Sequence, residues 1–411
     1  MNFKTFLVKY SPSGLLGAYA LFLASLALEL EVNIARTILL VAFAAYAVAH
    51  RELPRALYAS SLLKFAALFP VIAAISWILS PYDEANGLKT FDWLMCLIFG
   101  MATTLIWGRR TILLLLLIPA ITLLAALGTA VWNAASGLPV ENLFTPDNKL
   151  ILFIGTANRL GFLLATGAAI CIGTLFMLGR MALPLFLAAS TLSVLCWLAQ
   201  SRAAVFGLFG VILTATGYSL VQNRKSPLAL ALVLLVAALI GFGSIFATDR
   251  IMATLTSLDM SYLLNGRDDI WLAAWEIFLK SPMVGFGVDS FHKALAAHLA
   301  LPENADRFPA IRSQYVFWNA HQMVLGILCE TGLAGLAVFC VLIVRGIRAG
   351  IRFLPETFPP LLMLIAFLVH GIGGYGFHRS WNSAFFFLAL GILEGWNLLN
   401  VNRRPLQAGS E

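Results

Sequence analysis

The side chains able to do chemistry stand where apolar runs begin. Arg202 follows Gln200-Ser201 at the head of one run, Arg267 is second in the stretch GRDDIW, His321 heads HQMVLGILCETGLAGL, and Arg159 lies in TANRLG. Ser201 is the expected N-cap of a helix whose first turn then holds Arg202. A cation there opposes the helix dipole, so helix stability alone would select Asp or Glu. Free N–H groups, dipole and guanidinium together make a site for an anion such as phosphate. The alternative is an arginine reaching lipid headgroups. Arg267 repeats the arrangement, with pairing to the adjacent Asp268 or Asp269 as its alternative.

Arg159 is expected about two turns inside an apolar helix. That position is costly unless it lines a polar cavity, or unless the helix begins near Asn158 and Arg159 sits at the interface. His321 is open to two readings, an interfacial hydrogen-bonding residue or a proton-transfer group. Glu330 lies nine residues on, about 180° around and roughly 13 Å along an ideal helix, so it is not the partner that orients His321. It is expected to hydrogen-bond within the bundle. His378 and Arg379 fall in the Gly-rich stretch GIGGYGFHRSWN, which reads as a turn. His292 and His298 are six apart and off a shared helix face, so no metal site is expected. Gly285-Phe286-Gly287 has no preceding strand and is no nucleotide loop, and no cofactor is implied.

These residues sit in a chain that is 60% hydrophobic and 11% charged over 411 residues. A soluble domain of that length could not cover so much apolar surface, so the chain reads as an all-α, polytopic membrane protein. Apolar runs long enough to cross a bilayer as helices fall at roughly 14–30, 33–49, 62–79, 91–107, 111–132, 150–178, 182–199, 203–221, 228–248, 321–344, 359–377 and 382–400, about twelve spans. Lys and Arg alternate between connections in a way that places both termini in the cytoplasm and the 249–320 loop outside. The net charge of +7 reports this asymmetry and lipid headgroups, not nucleic acid. The five cysteines all fall in apolar runs, which argues against a disulfide framework.

Three parts follow: helices one to nine over 1–248, a periplasmic loop over 249–320, and helices ten to twelve with a cytoplasmic tail over 321–411. The loop is too long to be a plain connection and should hold its own helices. Ile270, Trp271, Ala274, Trp275 and Phe278 share one helical face, with Glu276 and Lys280 as an i,i+4 pair on another. Gly332 and Gly335 are expected to give the tenth span a small face for close packing.

The blocks SR at 201–202, GRDDIW at 266–271, GFG at 285–287 and HQMVLGILCETGLAGL at 321–336, on about twelve spans with one large loop, resemble the O-antigen ligase family within the O-antigen ligase and polymerase superfamily. Gln322 stands where Asn or Ser is more usual, and Ala203 where Gly is common. The resemblance implies transfer of an O-antigen glycan from undecaprenyl pyrophosphate to a sugar hydroxyl of lipid A-core, on the periplasmic face of a bacterial inner membrane. It also implies His321 as general base, Arg202 and Arg267 on the pyrophosphate, and Arg159 as a weaker anion contact, without metal. An O-antigen polymerase or protein O-oligosaccharyltransferase would share donor and histidine but differ in acceptor. A flippase would instead place charges through the midplane and show a repeat between halves, and neither is evident.

Overall fold

The computed structural model describes residues 3–28, 32–50, 52–82, 86–145, 149–154, 156–179, 182–221, 267–304, 306–308, 311, 319–374 and 380–407. Their regular secondary structure is helical, apart from one isolated bridge between Phe144 and Leu150. In chain order the helices are α1 (Phe3–Leu28), α2 (Val32–Ala49), α3 (Glu52–Ala59), α4 (Ser61–Ala66), α5 (Leu68–Leu79), α6 (Lys89–Trp107), α7 (Arg109–Leu114), α8 (Leu117–Ala135), α9 (Ala157–Leu178), α10 (Leu183–Leu198), α11 (Arg202–Val221), α12 (Arg267–Lys280), α13 (Phe291–Leu299), α14 (Met323–Arg352), α15 (Phe358–His370) and α16 (Ser380–Gln407).

Eight helical segments are long and apolar enough to cross a membrane, nine if the bent pair α2 and α3 counts as one. The chain is a multi-pass membrane protein, but the expected count of twelve is not reached among the described residues. Two expected spans are shorter helices, α10 with 16 residues and α15 with 13. At 1.5 Å per residue α15 is about 20 Å long, short of a hydrocarbon core of about 30 Å. The span expected at 228–248 lies outside the described residues.

α9 is the central strut, almost wholly buried among α8, α10, α11 and α15. α6 and α16 run against each other so closely that a Cβ on Gly391 would lie 2.2 Å from the Leu97 carbonyl oxygen. Without water to drive helices together in lipid, such small-residue contacts supply the packing.

α12 and α13 form a separate apolar core with Phe308, Ile311, Leu328 and Cys329. The expected face is buried at Ile270, Ala274 and Phe278, while Trp275 stays half exposed. Glu276 and Lys280 meet through His298, which lies between them. Lys280 Nζ donates to His298 Nδ1 at 3.0 Å, so Nε2 carries the ring proton and donates to Glu276 Oε2 at 3.0 Å. Arg307 completes the cluster with a 2.6 Å bond to Glu276 Oε1. Burial, reinforced by the Lys280 charge, holds the His298 pKa below the ordinary histidine value.

Candidate functional site

Four sequence-predicted residues land at helix N-termini. Arg159 is in the first turn of α9, half buried; Arg202 is the first residue of α11 and exposed. Arg267 heads the described part of α12, and His321 precedes α14 by two residues; both are half buried. Arg159 is therefore not two turns inside a span. The chain before it forms a short 3-10 turn at Leu152–Ile154, and the helix starts only at Ala157.

Ser201 does not cap α11 as expected. Its carbonyl accepts the Val205 N–H at 2.9 Å, but its Oγ is buried without a hydrogen-bond partner. The side chain is pressed against α9, where a Cβ on Gly161 would lie 2.9 Å from Ser201 Cβ. That contact sets the starts of α9 and α11, and so Arg159 and Arg202, on adjoining helix ends.

The turn after α15 gathers the other two. Arg267 Nη1 donates to the Gly373 carbonyl. The Met323 N–H, first of α14, donates to the Gly371 carbonyl at 2.8 Å. Residues 371–373 thus hold Arg267 on one side and the start of the His321 helix on the other. His321 itself has φ +50°, a left-handed conformation uncommon outside glycine, and its N–H donates to Asn319 Oδ1 at 2.8 Å. Gln200, two residues before Arg202, is also left-handed at φ +49°. Such backbone concentrates at functional sites because only a surrounding structure that over-determines it can hold it. Gln322 is the N-cap of α14, its side chain accepting the Leu325 N–H, so the unusual glutamine keeps a cap's job.

Below this end α14 breaks. Gly332 has φ +65° and ψ −164°, conformations no L-residue adopts comfortably in a helix. The stretch Pro282–Gly287 fills the gap. Phe286 N–H donates to Cys329 O at 2.8 Å and Gly287 N–H to Glu330 O at 2.9 Å, while Leu333 and Ala334 N–H groups donate to Pro282 and Met283 carbonyls. Gly332 therefore serves the break, not the small packing face expected of it. The Glu330 side chain accepts the Asp289 N–H at 3.1 Å, so its partner lies in the connection between α12 and α13 and not within the bundle as expected. Lys89 pairs with Asp289, and Asn86 N–H donates to Val288 O, so the connection before α6 lies at the same end.

The sequence reading overlooked His370. It ends α15, is 1% exposed, and neither ring nitrogen has a hydrogen-bond partner. Its ring packs on Phe162 at 4.9 Å, three residues beyond Arg159, and its Cβ would be 3.6 Å from a Cβ on Gly207, five beyond Arg202. The signal that could have found it was a histidine on the last turn of an apolar run just before Gly-Ile-Gly-Gly. His378 and Arg379 lie outside the described residues. Among the described residues no three His, Cys, Asp or Glu side chains come together as metal ligands would.

The starts of α12 and α14 thus meet at the 371–374 turn, while α9 and α11 reach the neighbouring His370 through Phe162 and Gly207. Helix N-termini carry partial positive charge and arginines add full charge, so the arrangement suits an anion. A comparison with curated proteins returned no match. Residues 187–340, which include Arg202, Arg267 and His321 but not Arg159, match the family model described as O-Antigen ligase, and over that segment the chain is similar to that family.

Proposed function

We propose that the chain is an O-antigen ligase, moving an O-antigen glycan from undecaprenyl pyrophosphate to a sugar hydroxyl of lipid A-core on the periplasmic face of a bacterial inner membrane. What supports this reading is that Arg267 and the start of the His321 helix both reach the carbonyls of 371–373, beside the ends of α9 and α11 that bear Arg159 and Arg202. A lipid pyrophosphate places its charge at such a helix end and its chain along the apolar bundle.

In the proposed reaction, the His321 imidazole takes the proton of the acceptor hydroxyl. The freed oxygen attacks the anomeric carbon of the donor sugar, and the bond from that carbon to the pyrophosphate oxygen breaks. Undecaprenyl pyrophosphate leaves with the electron pair. Arg202 and Arg267 stabilise its growing charge through their N–H groups, with Arg159 as a weaker contact. The proton on His321 then passes to solvent or to the departing phosphate.

The decisive test uses the purified full chain in liposomes with lipid-linked glycan and either lipid A-core or free glycan chains as acceptor. Transfer to lipid A-core is expected. Extension of free glycan would make the protein a polymerase, and no transfer to either would remove the reading.

A further inference from the structure

A buried imidazole with two unpartnered nitrogens costs stability, since each polar group taken from water without a partner forfeits its hydrogen bonds. An apolar side chain would fill the His370 position at less cost. The ring must therefore meet a need that arises as the site works, and its surroundings say which. A Cβ on Gly374 would lie 2.4 Å from its Cε1 and 2.7 Å from its Nδ1, so that edge of the ring lies against the turn. The turn's Gly373 carbonyl takes its hydrogen bond from Arg267 Nη1, and its Gly371 carbonyl takes one from Met323.

An arginine that turns a given N–H toward a phosphate cannot leave the same N–H on Gly373. The carbonyl then needs another donor, and a neutral imidazole carries one N–H. We propose that His370 is a positioning residue that takes over the 371–374 turn when Arg267 engages the donor, keeping the start of α14, and with it His321, in register. This rests on the proposed function for the identity of the anion. The coupling between Arg267 and α14 rests on geometry alone.

Two measurements test it. The first is amide hydrogen exchange of the full chain in detergent over residues 321–325 and 371–374, with and without undecaprenyl pyrophosphate. In wild type, the ligand should leave protection at Met323 unchanged or increase it. In His370→Phe, adding the ligand should raise exchange there. Arg267→Ala should leave exchange insensitive to ligand while His370 still holds the turn. Unchanged ligand response in His370→Phe would overturn the coupling, whatever reaction the protein performs.

The second measurement is steady-state transfer. His370→Phe should melt at or above the wild-type temperature, keep the donor KM, and lose about 3- to 10-fold in kcat, roughly the worth of one hydrogen bond. His370→Gln, which restores an N–H, should recover most of that loss. Equal loss in both variants together with lower melting temperature would make His370 a packing residue only. Wild-type protein that fails to use a polyprenyl-pyrophosphate donor would sink the proposed function, and the exchange result would still decide the role of His370.

Discussion

Gly285 and Gly332 stand against each other's flanking backbone across the break in α14. A Cβ on Gly285 would lie 2.5 Å from the Glu330 carbonyl carbon, and one on Gly332 would lie 2.4 Å from that of Met283. Both are left-handed, at φ +68° and +65°. Gly332→Ala therefore adds a backbone clash to the roughly 1–3 kcal/mol of a strained residue. It should lower the melting temperature of detergent-solubilised protein sharply or abolish its recovery. Gly128→Ala, on α8 with open space around it, is the control and should be neutral or mildly stabilising. Equal melting of the two variants would mean that the break is not built as described.

For the proposed chemistry, His321→Ala should cut transfer by roughly 10²- to 10⁴-fold, the usual loss on removing a general base, while donor binding persists. Near-normal turnover by this variant would return His321 to an interfacial role.

Arg202→Lys and Arg267→Lys should each weaken donor use by roughly 10- to 150-fold, because a point charge does not replace a planar fork of donors. Arg159→Lys should matter less. Donor binding and turnover measured on the same preparations separate these effects from those at His321. Wild-type binding by both lysine variants would show that the anion is held elsewhere.

The His298 cluster predicts a pH effect away from the reaction. Its folded pKa is depressed, so neutral His298 favours the folded loop at pH values above the unfolded value near 6.5. As pH falls below that value the unfolded form gains a proton first, and stability is lost down to the folded pKa. The protection factors over α12 and α13, exchange rates divided into the intrinsic rates at each pH, should fall from pH 7.5 to 5.5. The fall should be smaller in His298→Gln, and an equal fall there would assign the effect to another group.

Orientation is testable at Glu303, exposed in the 3-10 turn Pro302–Asn304. Glu303→Cys, in a background with Cys340 replaced, should react with an impermeant thiol reagent added from the periplasmic side. Reaction only from the cytoplasmic side would move the whole site to that face.

What the sequence revealed follows from physical contrast. Arg202, Arg267 and His321 stood out because a charged or imidazole group beside an apolar run opposes the local trend in hydropathy or dipole. His370 did not, because the expected run 359–377 carried the helix past it, whereas α15 ends at that residue. Hydropathy cannot show where a helix stops within an apolar stretch. Gly332 was read for its small size because backbone conformation is not written in composition. The Ser201 Oγ was read as a cap because residue type favours it, while tight packing on α9 left it unbonded.

The stitching of Pro282–Gly287 into α14 bears on how this chain could be recombined with its relatives. Gly332 lies nine residues past Met323, about 13 Å along the helix, so the loop enters to roughly that depth below the start of α14. Non-helical backbone at such depth is tolerated only where protein surrounds it. The stretch from α12 through Gly287 is therefore not a detachable cap, and a chimaera that exchanged it alone would import carbonyls and amides matched to a foreign break. A chimaera should fold only when Pro282–Gly287 travels together with Cys329–Gly335.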